Sequence, residues 1–232
     1  MPEEKKKLVK WVGWGASELA NGMFPRMEYS YNTRKSEEVY KDGWEDLAKQ
    51  LRALLTDEEY EAARGSTQNA HYTSPAIIQG IYSGLKHIGF QGGRMLEPGS
   101  GPGHFIGLQP EDLAGKIKFT GVELAPITAK VAKALYPESR IENVDFTEFK
   151  RPDGFFDGTV GNPPFASTII TSDEKYAKFK FSLHDYFVAK AVDLTAPGGP
   201  IVLITSRYTM DKGDDKARAY LMTKADLIGA IR

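Results

Sequence analysis

From Ser36 to Leu55 the apolar residues Val39, Tyr40, Trp44, Leu47, Leu51, Leu54 and Leu55 recur at steps of three and four, which predicts a helical stripe. Gly43 weakens its start. Thr56 followed by Asp57, Glu58 and Glu59 has the form of an N-cap with acids in the first turn, so a second helix is expected to end near Gly65. Both read as scaffold. Between Ala70 and Leu85, Thr73 or Ser74 can cap a helix begun by Pro75, with Ile77, Ile78, Ile81, Tyr82 and Leu85 as its buried face. Residues Pro2 to Arg34 form an irregular opening in which the basic run Lys5 to Lys7 precedes the aromatics Trp11, Trp14 and Phe24. It reads as a packed arm with a solvated basic lead in preference to a DNA contact.

The pattern then changes to short apolar runs separated by turns. Gly92 to Leu96 runs into L-E-P-G-S-G-P-G-H-F at Leu96 to Phe105, after which Phe105, Ile106 and Leu108 resume an apolar pattern: strand, tight loop, helix. Lys118 to Glu123 predicts a second strand, Ala125 to Leu135 a helix stopped at Tyr136-Pro137, and Arg140 to Asp145 a third strand. Phe156 to Val160 leads into G-N-P-P-F at Gly161 to Phe165 as the fourth, Tyr186 to Thr195 supplies a crossover helix stopped by Pro197-Gly198-Gly199, and Ile201 to Ser206 is a fifth strand. Leu227 to Arg232 begins a sixth. Strands alternating with helices predict an α/β fold, a Rossmann-like, doubly wound, mostly parallel sheet with ligands beyond the carboxyl ends of its strands.

Gly99, Gly101 and Gly103 allow the backbone to turn sharply and approach a ligand, and the helix start offers free N–H groups. No Lys-Ser or Lys-Thr follows, which excludes a triphosphate-binding P-loop. Glu123 ends the second strand, where a carboxylate would meet ribose hydroxyls.

The pair E-P-G-S-G-P-G-H-F and N-P-P-F is similar to motifs I and IV of S-adenosylmethionine-dependent N6-adenine DNA methyltransferases. His71 to Pro75, H-Y-T-S-P, resembles the motif that precedes the glycine loop in the class with a C-terminal target-recognition region. The wording L-T-D-E-E-Y-E-A-A-R, N-A-H-Y-T-S-P and L-E-P-G-S-G-P-G-H-F-I-G resembles the methylase segment of phage and mobile-element methylase-helicase proteins. The resemblance runs from about Glu37 to the last residue.

It implies the class I methyltransferase type of sheet and S-adenosyl-L-methionine as cofactor. The cofactor contacts it implies are Tyr72, Thr73, Glu97, Pro98, Gly99, Gly101, Gly103, Phe105, Glu123, Asp145, Phe146 and Asn162. Tyr72 and Thr73 would lie against the methionine end, and Asp145, which could merely cap a turn, is read instead as accepting the cofactor's adenine amino group. The catalytic set it implies is Asn162, Pro163, Pro164 and Phe165. The adenine amino lone pair is delocalised into the ring, so hydrogen-bond acceptors are needed to favour its attack. Asn162 brings a side-chain carbonyl, the Pro163 carbonyl a second, and Phe165 an apolar face for a flipped base. The expected partners are DNA and a fused helicase region. N-P-P-F also serves enzymes acting on guanine N2 of ribosomal RNA, and N-P-P with an aromatic those acting on glutamine amides. A cofactor-binding module of a larger helicase or antirestriction assembly, inactive alone, is the remaining alternative.

With 232 residues, 41% hydrophobic and 26% charged, the chain suits one sizeable α/β domain with an extension. Residues 1–69 are assigned to the arm and helical extension and 70–232 to the catalytic domain. That domain would stop before the last strand and the target-recognition region. The net charge of −1 lacks the basic balance of a domain that grips DNA unaided, and the family resemblance then implies that the main DNA-gripping surface is to be expected beyond residue 232. Without a cysteine there is no thiolate metal site or thiol nucleophile, and His71, His87, His104 and His184 have no ligand spacing, so no metal is expected. Lacking a long apolar run or a signal-peptide pattern, the chain reads as cytoplasmic, with no membrane partner. The polar, Lys-rich segment Ala166 to Leu183 is either a mobile strand-contacting loop or a solvated loop with a hydrophobic anchor.

Overall fold

The computed structural model describes residues 3–8, 10, 11, 13–15, 17–67 and 72–231. His71, which opens the H-Y-T-S-P motif, lies outside the described residues, as do Ala70 and Arg232. The N-terminal part contains helices α1 (Glu3–Leu8) and α2 (Ser17–Met23), an antiparallel hairpin of β1 (Arg26–Ser30) and β2 (Lys35–Val39), and helices α3 (Glu45–Leu54) and α4 (Asp57–Ser66). Trp14, Phe24 and Tyr60 stack edge-on or tilted, with ring centroids 5.7 and 5.3 Å apart. Trp44, Leu51 and, from further along the chain, Ile127 pack on the same cluster. The arm is packed, and Lys6 and Lys7 on α1 are exposed.

The helix expected over 36–55 is corrected here. Ser36 to Val39 pair with β1, Gly43 turns with φ +78°, and the helix starts only at Glu45. The following helix is as anticipated: the Thr56 hydroxyl accepts the Glu59 N–H at 3.2 Å while the Glu59 carboxylate accepts the Thr56 N–H at 3.1 Å, a reciprocal cap.

Helix α5 (Pro75–His87) starts after Ser74, whose side chain makes no capping bond. Its buried face is Ile78, Tyr82 and Leu85, whereas Ile77, predicted to be buried, is 52% exposed. The sheet follows: β3 (Gly93–Pro98), helix α6 (His104–Gly107), β4 (Ile117–Glu123), α7 (Pro126–Leu135), β5 (Arg140–Asn143) and β6 (Gly158–Gly161). Then come a short helix α8 (Glu174–Ala177), the crossover helix α9 (Leu183–Leu194), β7 (Ile201–Leu203) and helices α10 (Tyr208–Asp211) and α11 (Lys216–Met222). The five strands run in the order β5-β4-β3-β6-β7, every pair parallel. This is the Rossmann-like sheet of the class I methyltransferase type.

Parallel strands covered on both faces read as continuous apolar runs, and Met95, Leu96, Phe119, Val122 and Val160 are all buried. The strand order reverses at β3, which has β4 on one side and β6 on the other. A crevice therefore opens beyond the carboxyl ends of β3 and β6, the point from which the glycine loop and G-N-P-P-F both depart.

Two further expectations are revised. The fifth strand is paired only through Leu203, although the Ile204 N–H still reaches the Gly161 carbonyl at 2.9 Å. Leu227 to Ile231 form no strand; Leu227 is 68% and Ile228 80% exposed, and no neighbouring strand among the described residues receives them. In the segment after G-N-P-P-F, Tyr176 and Phe181 are buried against Tyr186 and Tyr220, so the loop is anchored by its aromatics while Lys178 and Lys180 face outward. No helix among the described residues is long and apolar enough to cross a membrane.

Candidate cofactor and amino-group site

The loop after β3 is tied to the neighbouring strand through its backbone. The Gly99 and Ser100 N–H groups both donate to the Val122 carbonyl, at 2.9 and 3.0 Å. The Gly101 N–H donates at 2.9 Å to one oxygen of the Glu123 carboxylate, whose other oxygen accepts the Ala125 N–H at 2.7 Å. Gly101 and Gly103 need their missing Cβ: both have positive φ, and a Cβ at Gly103 would lie 2.8 Å from the Tyr136 ring. From α5, the buried Tyr82 hydroxyl donates to the Phe105 carbonyl at 2.5 Å and fixes the start of α6.

The second segment meets the first directly. A Cβ built on Gly99 would sit 3.7 Å from Pro164 Cδ, and one built on Gly161 3.9 Å from Glu97 Cγ. Between them lies a cavity of about 420 Å³, of the size that holds a small-molecule ligand. Of the residues singled out from sequence, Tyr72, Thr73, Glu97, Gly99, Gly101, Phe105, Glu123, Asp145, Phe146, Asn162 and Pro164 line it. Pro98, Gly103, Pro163 and Phe165 do not; Pro98, Gly103 and Pro163 are buried behind the lining, and Phe165 is 37% exposed with its ring stacked on His184. Asp145 caps a turn, accepting the Thr147 N–H at 2.7 Å, and also lines the cavity.

Sequence reasoning missed one wall. Ala62, Gly65 and Ser66, in the last turns of α4, line the cavity that the scaffold reading left them out of. Leu183 and Phe187 of α9 form part of another wall. Neither has a local signal, because each owes its place to packing between elements distant in sequence. The Lys130 ammonium on α7 donates to Glu59 on α4 at 2.6 Å and helps hold the two together.

The cavity is acidic. Glu97 is 3% exposed, with one oxygen lacking any hydrogen-bond partner among the described residues. Burial, and then the nearby Glu123 charge, push its carboxyl well above the ordinary value, opposed by the Phe105 N–H. Glu123 is raised in the same direction by burial, against the N–H groups of Ala125 and Gly101. Such a site favours a ligand with positive charge on one end and hydroxyls to offer. S-adenosylmethionine carries an ammonium, a sulfonium and a ribose diol, and the unpartnered Glu97 oxygen and the Glu123 carboxylate are acceptors for such groups, so the residues present fit it.

Residues 115–231 match the Eco57I restriction-modification methylase family, a span that includes G-N-P-P-F and starts after the glycine loop. The chain is 27% identical over 191 residues to "Defense against restriction protein B" of Escherichia phage P1, covering 80% of this chain but only 8% of that protein. Similar solved structures include SAM-bound CalS10, an amino pentose methyltransferase from Micromonospora echinaspora, 22% identical over 64% of this chain and 56% of that one with a TM-score of 0.40. Streptomyces venezuelae DesVI is 16% identical over 75% and 62%, TM-score 0.43, and TrmN from Thermus thermophilus 21% over 56% and 38%, TM-score 0.42. With half its length inside the family's match, the chain belongs to the Eco57I restriction-modification methylase family, methyltransferases whose methyl donor is S-adenosylmethionine.

Proposed function

We propose that this chain transfers a methyl group to the N6 amino group of adenine in DNA and works as the methylase segment of a longer protein that includes a helicase region. The observation that carries the amino-transfer reading is the convergence of the glycine loop and the N-P-P-F corner on one cavity, with Gly99 against Pro164. The placement in a longer chain is supported by the 8% share of the phage P1 protein that this sequence spans.

The cofactor, when bound, supplies an electrophilic methyl on a positively charged sulfur. Glu97 would take its ammonium, Glu123 its ribose hydroxyls and Asp145 its adenine amino group, with Tyr72 and Thr73 flanking the methionine end; all five line the cavity. Asn162, at the carboxyl end of β6, offers its side-chain carbonyl to the target amino group, and the Pro163 carbonyl accepts the second amino hydrogen. Both oxygens would stabilise the positive charge that grows on nitrogen as its lone pair forms the new N–C bond and the methyl–sulfur bond breaks, the electron pair staying on sulfur so that S-adenosylhomocysteine leaves; the amino proton then goes to solvent. No strong base is required. Phe165 presents a ring face to a base that has left the helical stack, a contact that offsets part of the few kcal/mol that flipping costs.

Labelled cofactor incubated with the chain and with DNA, RNA or protein tests this. Label recovered as N6-methyladenine from digested DNA is the expected result. Label in guanine or in protein, or cofactor binding with no transfer at all, would replace it with one of the other readings. Asn162→Ala should hold the cofactor as the wild type does and lose turnover on the order of 10²- to 10³-fold, the usual cost of one preorganised hydrogen-bonding group.

A further inference from the structure

Helix α9 begins directly behind the N-P-P-F corner. Its N-cap, Ser182, takes the Asp185 N–H at 3.3 Å, which leaves the N–H groups of the first turn to find partners elsewhere. They find them in the segment that follows N-P-P-F. The Leu183 N–H donates to the Thr168 carbonyl at 2.7 Å and the His184 N–H to the Ala166 carbonyl at 3.4 Å. The His184 side chain adds two more contacts: Nδ1 lies 3.1 Å from the Pro164 carbonyl, and the ring stacks on Phe165 with centroids 5.0 Å apart and planes inclined by 22°.

A carbonyl oxygen only accepts, so the nitrogen facing it carries the hydrogen. The ring is 7% exposed, and its other nitrogen is buried with no hydrogen-bond partner among the described residues. Burial holds the imidazole neutral by lowering its affinity for a second proton, which fixes one tautomer, with Nδ1–H and a bare Nε2. Pro164 is the residue whose ring abuts Gly99 of the glycine loop, and Phe165 carries the platform for the target base.

Resting on the amino-methylation reading, we infer that His184 is the positioning residue of the target site. Its Nδ1–H fixes the Pro164 carbonyl, and its ring backs Phe165, so that the corner is held at the right distance from the cofactor cavity. The residue itself touches neither substrate nor cavity; it acts through the two it holds. A displacement of the corner by about 1 Å costs on the order of 10²-fold in rate, because the reacting atoms no longer align.

Two measurements test this. In the full chain carrying ¹⁵N-histidine, the ring signal lost in His184→Asn should show a protonated Nδ1 and an unprotonated Nε2; a proton on Nε2 instead would overturn the contact. In the second, wild type, His184→Leu and His184→Asn are compared for S-adenosylhomocysteine binding by calorimetry and for methyl transfer to genomic DNA free of N6-methyladenine. Both variants should bind S-adenosylhomocysteine as the wild type does. The Leu variant should lose kcat on the order of 10²-fold with the KM for cofactor unchanged, and the Asn variant, whose amide N–H stands near the Nδ1 position, should recover much of that loss. A Leu variant that turns over at the wild-type rate, or an Asn variant as impaired as Leu, overturns the inference. Should the wild type itself methylate no DNA, the adenine reading falls, while the tautomer still decides whether His184 holds the corner.

Discussion

Glu97 closes β3 with 3% of its surface exposed, one carboxylate oxygen served by the Phe105 N–H and the other without a partner. An acid so placed ionises near 4.5 in the unfolded chain but holds its proton to higher pH in the fold. The folded state therefore binds more protons than the unfolded one above that value, and stability falls as pH rises from there. Glu97→Gln keeps an acceptor for the Phe105 N–H and removes the ionisation. Without cofactor it should melt above the wild type at about pH 7.5, by about 2–4 °C for each kcal/mol relieved, with the gain vanishing near pH 4, where both forms are neutral. The same variant should bind S-adenosylhomocysteine more weakly, because the ammonium loses its countercharge. Melting curves across pH and calorimetry check the two halves; a variant no more stable than wild type at neutral pH would show that the acid is not strained. A residue kept at a cost to stability is the usual mark of a binding site.

Helix α4 acts at the next scale up. Its start is fixed by the reciprocal cap of Thr56 and Glu59, Glu59 also accepts from Lys130 on α7, and the far end of the helix walls the cavity with Ala62, Gly65 and Ser66. Thr56→Ala should cost about 1 kcal/mol and lower the melting temperature by about 2–4 °C, readable in a thermal scan. It should also weaken S-adenosylhomocysteine binding, since the wall is positioned from the capped end; unchanged affinity would make α4 a scaffold after all. The cap was legible in the letters because capping is local chemistry. The wall was not, because nothing in A-A-R-G-S says what it will face. The parallel strands were legible because both of their faces are buried, which leaves runs such as Met95-Leu96 unbroken by polar residues. The β1–β2 hairpin was not, since nearly all its residues are exposed and no alternation marks a buried face. Leu227 to Ile231 failed in the opposite way: an apolar run suggests a strand, but pairing needs a neighbour that these residues do not have among the described ones. The glycine loop and N-P-P-F stood out in the sequence because their glycines and prolines state a backbone requirement, whereas the contact of His184 with Pro164 arises only when α9 docks behind them.

Across the whole molecule, charge decides how the site meets its substrate. The chain has 30 basic and 31 acidic side chains, and many of the cations are already engaged. Lys175 pairs with Asp153 and Asp193, Lys190 with Asp173, Lys212 with Asp185, Arg94 with Asp157 and Arg151 with Glu142. The cavity itself is lined by Glu97, Glu123 and Asp145, which suit a cationic cofactor and repel phosphates. On the proposed function, cofactor and DNA would make opposite electrostatic demands on neighbouring surfaces, and the acidic lining suits the first. Its own affinity for DNA should accordingly depend little on salt. Fluorescence anisotropy with a labelled oligonucleotide should give a log–log slope no steeper than about −3 for a duplex, equivalent to about three phosphate contacts, while S-adenosylhomocysteine binding is fully developed. A slope of about −6 or steeper, equivalent to about seven phosphate contacts, would overturn this expectation. With the shallow slope, base capture at Phe165 rather than phosphate attraction would dominate what binding there is. Phe165→Ala should then weaken single-stranded DNA binding by about 1 to 3 kcal/mol without altering the salt slope, which separates stacking from charge in one titration.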